Sequence, residues 1–287
     1  MRLREIVHTA GIAAALTVGC LASVGANRSN LKQVQDEIAG VLTHRILQRA
    51  EVSVLVVSMD NAEVVFSRGA DRPLIPASNM KLVAVATALE LLGPHWDCSG
   101  LPGAQPGETL AELAPRILKP SNNALADALM ARMPAAAGRP ELCPQLLAAE
   151  TWGERQLFLR GERWPDGSGL SRSGLMSAHT TVRLLWYMVG AGAAEEFILA
   201  LPTAGVDGTL RRRMTGTAAQ GRVRAKTGTL RGVSALSGYL ITYDGEWLVF
   251  SIIFNGYSSE HPPVRRLQDQ ICAALVRLAR EDVVAER

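Results

Sequence analysis

The chain has 287 residues, 48% hydrophobic and 20% charged, which is the composition of a globular protein rather than a disordered or fibrous one. Lys plus Arg number 30 and Asp plus Glu 27, so a net charge of +3 gives nucleic acid no footing, and the basic residues form no run beyond Arg211-Arg212-Arg213. The four cysteines make no CxxC pair and the five histidines no HxxxH spacing, which argues against structural zinc and thioredoxin-like redox chemistry.

The amino terminus reads as an export signal. Arg2 and Arg4 precede a stretch from Ile6 to Asn27 without a single charged side chain. Its apolar centre, residues 10–26, is short and weakly hydrophobic for a membrane span, and Val24-Gly25-Ala26 supplies small residues for cleavage. Residues 1–26 are therefore expected to be a signal peptide, with the mature protein periplasmic or secreted. Leu16-Thr17-Val18-Gly19-Cys20 loosely resembles a lipoprotein cleavage site, so membrane attachment is expected only if Cys20 is lipidated. In an oxidising compartment Cys98 and Cys143 are candidates to pair, whereas Cys272 lies in an apolar helical pattern and reads as a buried thiol.

Beyond the signal, apolar residues at 34, 38, 41, 42 and 46 mark a helix within 31–49. Residues 52–57 and 63–66 form a hairpin about Asp60-Asn61. After Pro73 and Pro76, a helix begins near Ser78 and stops at Gly93-Pro94. A Gly- and Pro-rich loop covers 97–108, helices cover 109–118 and 122–133, and 134–144 is rich in breakers. Residues 164–174 form a turn-rich loop and 178–190 a helix. Strands follow at 222–226, 233–243 and 246–254, the last two joined by Asp244-Gly245, and an amphipathic helix closes the chain at 263–280. Strands at both ends with helices between them predict an α/β (α+β) fold, with one antiparallel sheet built from both termini. Residues 27–287 then form a single domain carrying flanking helices and a helical subdomain over about 82–200.

Three segments carry chemistry. They are Ser78-Asn79-Met80-Lys81, Ser121-Asn122-Asn123 and Lys226-Thr227-Gly228-Thr229. Ser78 opens a helix, where free N–H groups and the helix dipole favour negative charge. Lys81 returns to the same face one turn on and is a candidate base, but only when neutral. Lowering a lysine from its reference pKa of about 10.4 to pH 7 takes about 4 kcal/mol, which burial and a second cation, Lys226, would supply. Ser121 and Asn123, at a helix break, are placed to relay a proton to a leaving amine and to hold Lys81 and a substrate amide. The Lys226 ammonium is expected to hold a substrate carboxylate, and Gly228 to admit close backbone approach. Thr227 and Thr229 would line the same strand, with an oxyanion hole from the N–H groups of Ser78 and Thr229. Taken singly, each segment reads as an ordinary cap, polar helix start or strand end. Their order and placement favour the joint catalytic reading.

The trio is a signature shared by serine β-lactamases and penicillin-binding proteins. The chain resembles the low-molecular-mass class C penicillin-binding proteins, which are D-alanyl-D-alanine carboxypeptidase/endopeptidases. The likeness extends to residues 70–78, 166–171, 201–210 and 225–238. The resemblance implies a β-lactamase/transpeptidase-like fold and a serine peptidase in which Ser78 is acylated and Lys81 is its base, with Ser121, Asn123 and Lys226 completing the site. It implies peptidoglycan stem peptides as substrates, β-lactams as inhibitors, and no metal or cofactor. Full-length members carry a large inserted domain between the first two motifs, whereas here Ser121 follows Ser78 by only 43 residues. Asn122 stands where the family has Asp. The rival readings are a β-lactamase-like hydrolase, for which no E-x-x-L-N loop is found, and a catalytically weak cell-wall-binding protein.

Overall fold

The computed structural model describes residues 30–157, 161–257 and 261–280. The expected signal peptide and Cys20 lie outside the described residues. Helix α1 (Leu31–Leu42) buries Leu31, Val34, Ile38 and Leu42, an apolar stripe at helical spacing. A hairpin of β1 (Glu51–Ser58) and β2 (Val64–Arg68) follows. Six helices then occupy the middle of the chain: α2 (Met80–Leu92), α3 (Leu110–Leu118), α4 (Asn123–Ala136), α5 (Pro144–Glu154), α6 (Ala178–Gly190) and α7 (Ala194–Ala200). Strands β3 (Val223–Leu230), β4 (Val233–Ile241) and β5 (Trp247–Asn255) precede the last helix, α8 (His261–Val276).

The five strands form one antiparallel sheet in the order β2-β1-β5-β4-β3. The two ends of the chain meet where β1 pairs with β5, Val56 facing Phe250. Both faces of the sheet are covered, so β5 is buried along its whole length. The period of two sorts its side chains. Leu248, Phe250, Ile252 and Phe254 join the core beneath α1 and α8, while Trp247 and Val249 join the core beneath the six middle helices. Every residue of α2 from Met80 to Leu89 is buried. A helix apolar all round belongs in the interior, and α2 runs between the sheet and the other helices. That position buries Lys81 with it.

The structure departs from the sequence expectation in three places. Residues 134–144 read as breakers, yet α4 runs to Ala136 and Pro144 opens α5 at its first turn, where a missing N–H costs nothing. Helix α7 was not expected. Strand β3 continues past Lys226 to Leu230, held by full pairing with β4. Cys98 and Cys143 are both free: Cys98 is buried, whereas Cys143 is exposed at the start of α5. Burial pushes the Cys98 thiol up to about 12, which leaves it an inert packing residue. Cys272 is buried as expected of it.

Gly238 sets how closely β4 and β3 can approach. A Cβ there would lie 2.1 Å from the Arg224 carbonyl oxygen and 2.6 Å from the Ala225 Cα, both backbone atoms. Gly238→Ala should therefore lower the unfolding free energy by about 1–3 kcal/mol, the usual cost of overpacking, measured by urea denaturation.

Candidate active site

Ser78 lies on a 3₁₀ turn, Ala77–Asn79, that runs directly into α2. Ala77 before it is held at φ +48°, a conformation that costs a side-chain-bearing residue energy and persists only where its surroundings enforce it. Two glycines do the enforcing. A Cβ on Gly228 of β3 would lie 2.5 Å from the Pro76 carbonyl oxygen, and one on Gly169 would lie 1.9 Å from the Ala77 carbonyl oxygen. The serine turn is thus clamped between β3 and the 164–174 loop. Below it the buried Asn79 amide donates to Ser237 Oγ at 2.7 Å, and Ser237 donates to Ser251 Oγ at 2.8 Å, which fastens the turn to β4 and β5.

Lys81 Nζ has three polar neighbours: Ser78 Oγ at 3.1 Å, Asn123 Oδ1 at 2.7 Å and the Ser168 carbonyl oxygen at 2.5 Å. Burial lowers its pKa to about 8, against the opposing pull of the Asp127 and Asp166 carboxylates. Those two carboxylates also shape the loop that supplies the Ser168 carbonyl. Asp127 Oδ1 accepts from Ser168 N at 2.8 Å, while Asp166 accepts from Gly169 N and Ser171 N at 2.7 Å each.

Ser121 occupies the turn between α3 and α4 at φ +61°. The turn is held from outside: the Lys119 carbonyl oxygen accepts from Thr209 N at 2.9 Å, and the Lys119 ammonium pairs with Asp207 at 2.6 Å. Asn122 caps α4, its Oδ1 accepting from Leu125 N at 3.1 Å, and Asn123 is the first helical residue. Asn122 therefore serves a local end-capping role that aspartate fills equally well, which accounts for the departure from the family's Asp.

Lys226 is fully buried on β3, and its Nζ donates to Ser121 Oγ at 2.9 Å and to the Thr227 carbonyl at 2.8 Å. Its pKa is driven well below the usual lysine range, first by burial and then by the charge of Lys81. The repulsion between the two ammonium groups expected from the sequence thus adds to burial in disfavouring charge on Lys226. The ammonium thus bridges the polar turn at Ser121 and the carbonyl of the next residue on β3.

These groups border a cleft of about 380 Å³. Ser78, Ser121, Asn123, Thr227 and Thr229 line it directly, with exposed Leu170 among its walls. Lys81 and Lys226 reach the serines from buried positions, and Gly228 serves the close approach already described. Thr227 Oγ1 donates to Thr209 Oγ1 at 2.8 Å. Sequence reasoning missed the parts furnished by other segments: Asp127, the Ser168 carbonyl, Thr209, and the cleft-lining Arg213 and Arg265. The Asp166-Gly167-Ser168-Gly169 turn pattern signals a shaped loop, but nothing in the pattern marks Arg265 of α8. Among the described residues no cluster of His, Cys, Asp and Glu could hold a metal ion.

A five-stranded antiparallel sheet flanked by helices, with a serine turn, two lysines and a polar turn gathered at one edge strand, is the β-lactamase/transpeptidase-like fold. Penicillin-binding protein 4 (dacB) from Haemophilus influenzae matches it with a TM-score of 0.68 at 14% identity, over 83% of this chain and 98% of that one. The TLA-3 extended-spectrum β-lactamase matches with a TM-score of 0.66 at 13% identity, over 86% and 98%. The D-Ala-D-Ala carboxypeptidase 3 (S13) family model matches residues 34–99 and 105–278, and the chain belongs to that family. It is 50% identical over 119 residues to a D-alanyl-D-alanine carboxypeptidase of Actinomadura sp. (strain R39), covering 40% of this chain and 22% of the relative. It is 31% identical over 225 residues to carboxypeptidase DacB of Mycolicibacterium smegmatis, covering 73% and 47%. The chain spans less than half the length of these curated relatives.

The cap assignment is open to direct test. Asn122→Ala should destabilise the protein by about 1 kcal/mol in thermal unfolding, while Asn122→Asp stays within a few tenths of the parent.

Proposed function

We propose that the protein is a serine-type D-Ala-D-Ala carboxypeptidase/endopeptidase, acting on peptidoglycan stem peptides through an acyl-enzyme on Ser78. The observation that carries this reading is the set of neighbours around Lys81 Nζ. A neutral amine has two N–H donors and one lone pair. Two of its three neighbours, Asn123 Oδ1 and the Ser168 carbonyl, can only accept, and they take the two donors. The lone pair is left for Ser78, the one neighbour with a proton to give, at 3.1 Å. With a pKa of about 8, about a tenth of the lysine is neutral at pH 7.

In this mechanism Ser78 Oγ attacks the carbonyl of the penultimate D-Ala while Lys81 takes its proton. The N–H groups of Ser78 and Thr229 stabilise the oxyanion, one such donor being worth about 2.7–4 kcal/mol of barrier. Ser121, hydrogen-bonded to a Lys226 whose charge burial disfavours, relays to the leaving amine the proton that Lys81 took from Ser78, which returns Lys81 to its neutral form. The amine departs, the acyl group remains on Ser78, and water releases it with Lys81 again as base. A β-lactam ring opened by Ser78 leaves an ester of the same kind, which supports β-lactams as inhibitors. One of the fold relatives, the Haemophilus influenzae penicillin-binding protein, was solved in complex with a β-lactam. Work on peptidoglycan requires export, and the signal read in residues 1–26 supplies it. Attachment to the membrane would follow only from lipidation of Cys20.

A fluorescent penicillin tests the reading. The parent protein should carry a persistent label and Ser78→Ala none, and Lys81→Ala should slow labelling by about 10²–10⁴-fold, the usual contribution of a general base. Rapid loss of label would instead point to a β-lactamase, and an unlabelled parent would point to a binding protein. Release of D-Ala from a pentapeptide, compared with cleavage of cross-linked muropeptides, identifies the substrate. Because the base works deprotonated, the rate of labelling should climb with pH and level off above about 8. A flat profile from pH 6 to 9 would remove Lys81 from the role.

A further inference from the structure

None of the hydrogen-bond partners of Lys81 among the described residues is a carboxylate. Yet in the acyl-transfer reading above, on which this inference rests, the amine carries a full charge each time it takes the Ser78 proton. We infer that Asp166 is a positioning residue for this base, acting through the peptide group between Ser168 and Gly169, which it aims and polarises toward Lys81 Nζ.

That peptide joins the carboxylate to the amine. Its carbonyl oxygen accepts from Lys81 Nζ at 2.5 Å, and its N–H, that of Gly169, donates to Asp166 Oδ1 at 2.7 Å. In a trans peptide the C=O and N–H point to opposite sides, so amine and carboxylate stand at the two ends of one dipole. Hydrogen bonds in such a chain polarise one another. The carboxylate draws positive charge toward the N–H, and the oxygen facing Lys81 becomes more negative.

The peptide is braced on several sides. Asp166 Oδ2 accepts from Ser171 N at 2.7 Å, so the carboxylate cannot swing away without losing two bonds. The preceding N–H, that of Ser168, donates to Asp127 Oδ1 of α4 at 2.8 Å. Gly167 packs against α4, where a Cβ would come 2.4 Å from the Ala126 carbonyl oxygen, and Gly169 packs on the serine turn at φ +77°. Turning the Ser168–Gly169 peptide would break its bonds at both ends.

Two effects on the base follow. The carbonyl takes one N–H of the neutral amine, which helps leave the lone pair to Ser78. When the proton arrives, the polarised carbonyl and the carboxylate behind it stabilise the ammonium. Among the described residues, the charged groups coupled to Lys81 are Asp127 from α4, Asp166 from the loop and Lys226 from β3. The two carboxylates oppose the effect of burial, so loss of Asp166 lowers the Lys81 pKa. A carboxylate that merely kept the loop shut would act in the other direction. Its loss would admit water, relieve the burial and raise the pKa.

NMR titration tests the link. In the parent protein the amide resonance of Gly169 should step with pH at the Lys81 midpoint of about 8, and Lys81→Ala should abolish the step. The midpoint itself is read from the lysine Cε resonance, in a spectrum kept simple by only four lysines, at 32, 81, 119 and 226. Asp166→Asn should lower that midpoint by about half a pH unit or more. It should also slow labelling by fluorescent penicillin at about pH 9 by about 3- to 30-fold, and Asp166→Glu should recover part of both changes. A Gly169 resonance indifferent to Lys81, an unmoved midpoint, or a midpoint that rises toward the ordinary lysine value each overturns the inference. Should Asp166→Asn not fold, the Gly169 titration in the parent decides alone. A parent that takes no penicillin label removes the acyl-transfer reading, whereas the titrations need no turnover and decide the role of Asp166 separately.

Discussion

The site depends on one constraint: a lysine amine placed inside an apolar helix. Helix α2 has no polar face from Met80 to Leu89, so it can pack only in the interior, and Lys81 is carried in with it. Once there, the amine is short of water, and among the described residues its hydrogen-bond partners are a side-chain amide, a backbone carbonyl and a serine hydroxyl. Burial makes the neutral form accessible, and the two carbonyls determine which way the lone pair points. Basicity and direction therefore arise from the same packing.

Holding that arrangement takes strain elsewhere. Ala77 and Ser121 both sit at positive φ, one before the candidate nucleophile and one within the polar turn. Neither conformation is favoured locally, and each is imposed by neighbours far away in the chain. Gly169 and Gly228 press on the turn at Ala77, and the segment around Asp207 and Thr209 grips the Lys119 backbone beside Ser121. Removing a side chain at two glycines is what lets three separate segments come within contact of one serine. The second lysine extends this economy. Packed behind Ser121 in the same enclosure as Lys81, it holds its proton loosely, which suits proton transfer.

Much of this was legible beforehand because the signals are local. The largely apolar segments on either side of the Asp244-Gly245 turn mark β4 and β5, and Ser78, Lys81, Ser121, Asn123 and Lys226 stand at helix starts, turns and a strand that can be recognised from composition. The misses have equally physical causes. Pro144 looks like a breaker until its position at a helix start is known. β3 is a poor strand by propensity through Thr227-Gly228, and it extends to Leu230 because β4 pairs with it residue for residue. Cys98 and Cys143 look like partners by count alone, yet one is packed in the core and the other is exposed.

From its residues alone the chain specified the antiparallel sheet built from both ends, the helical middle and the identity of the groups that meet at Ser78, because periodicity, caps and motif spacing act over a few residues. What only the tertiary structure decided is how those groups face one another. It put Lys226 against Ser121 instead of the open cleft, brought the Ser168 carbonyl onto Lys81, and set Arg265 of the last helix beside Thr229. Contacts between segments so distant in the chain leave no periodic trace, since each is fixed by how the two cores pack against the sheet and not by its own neighbours in sequence.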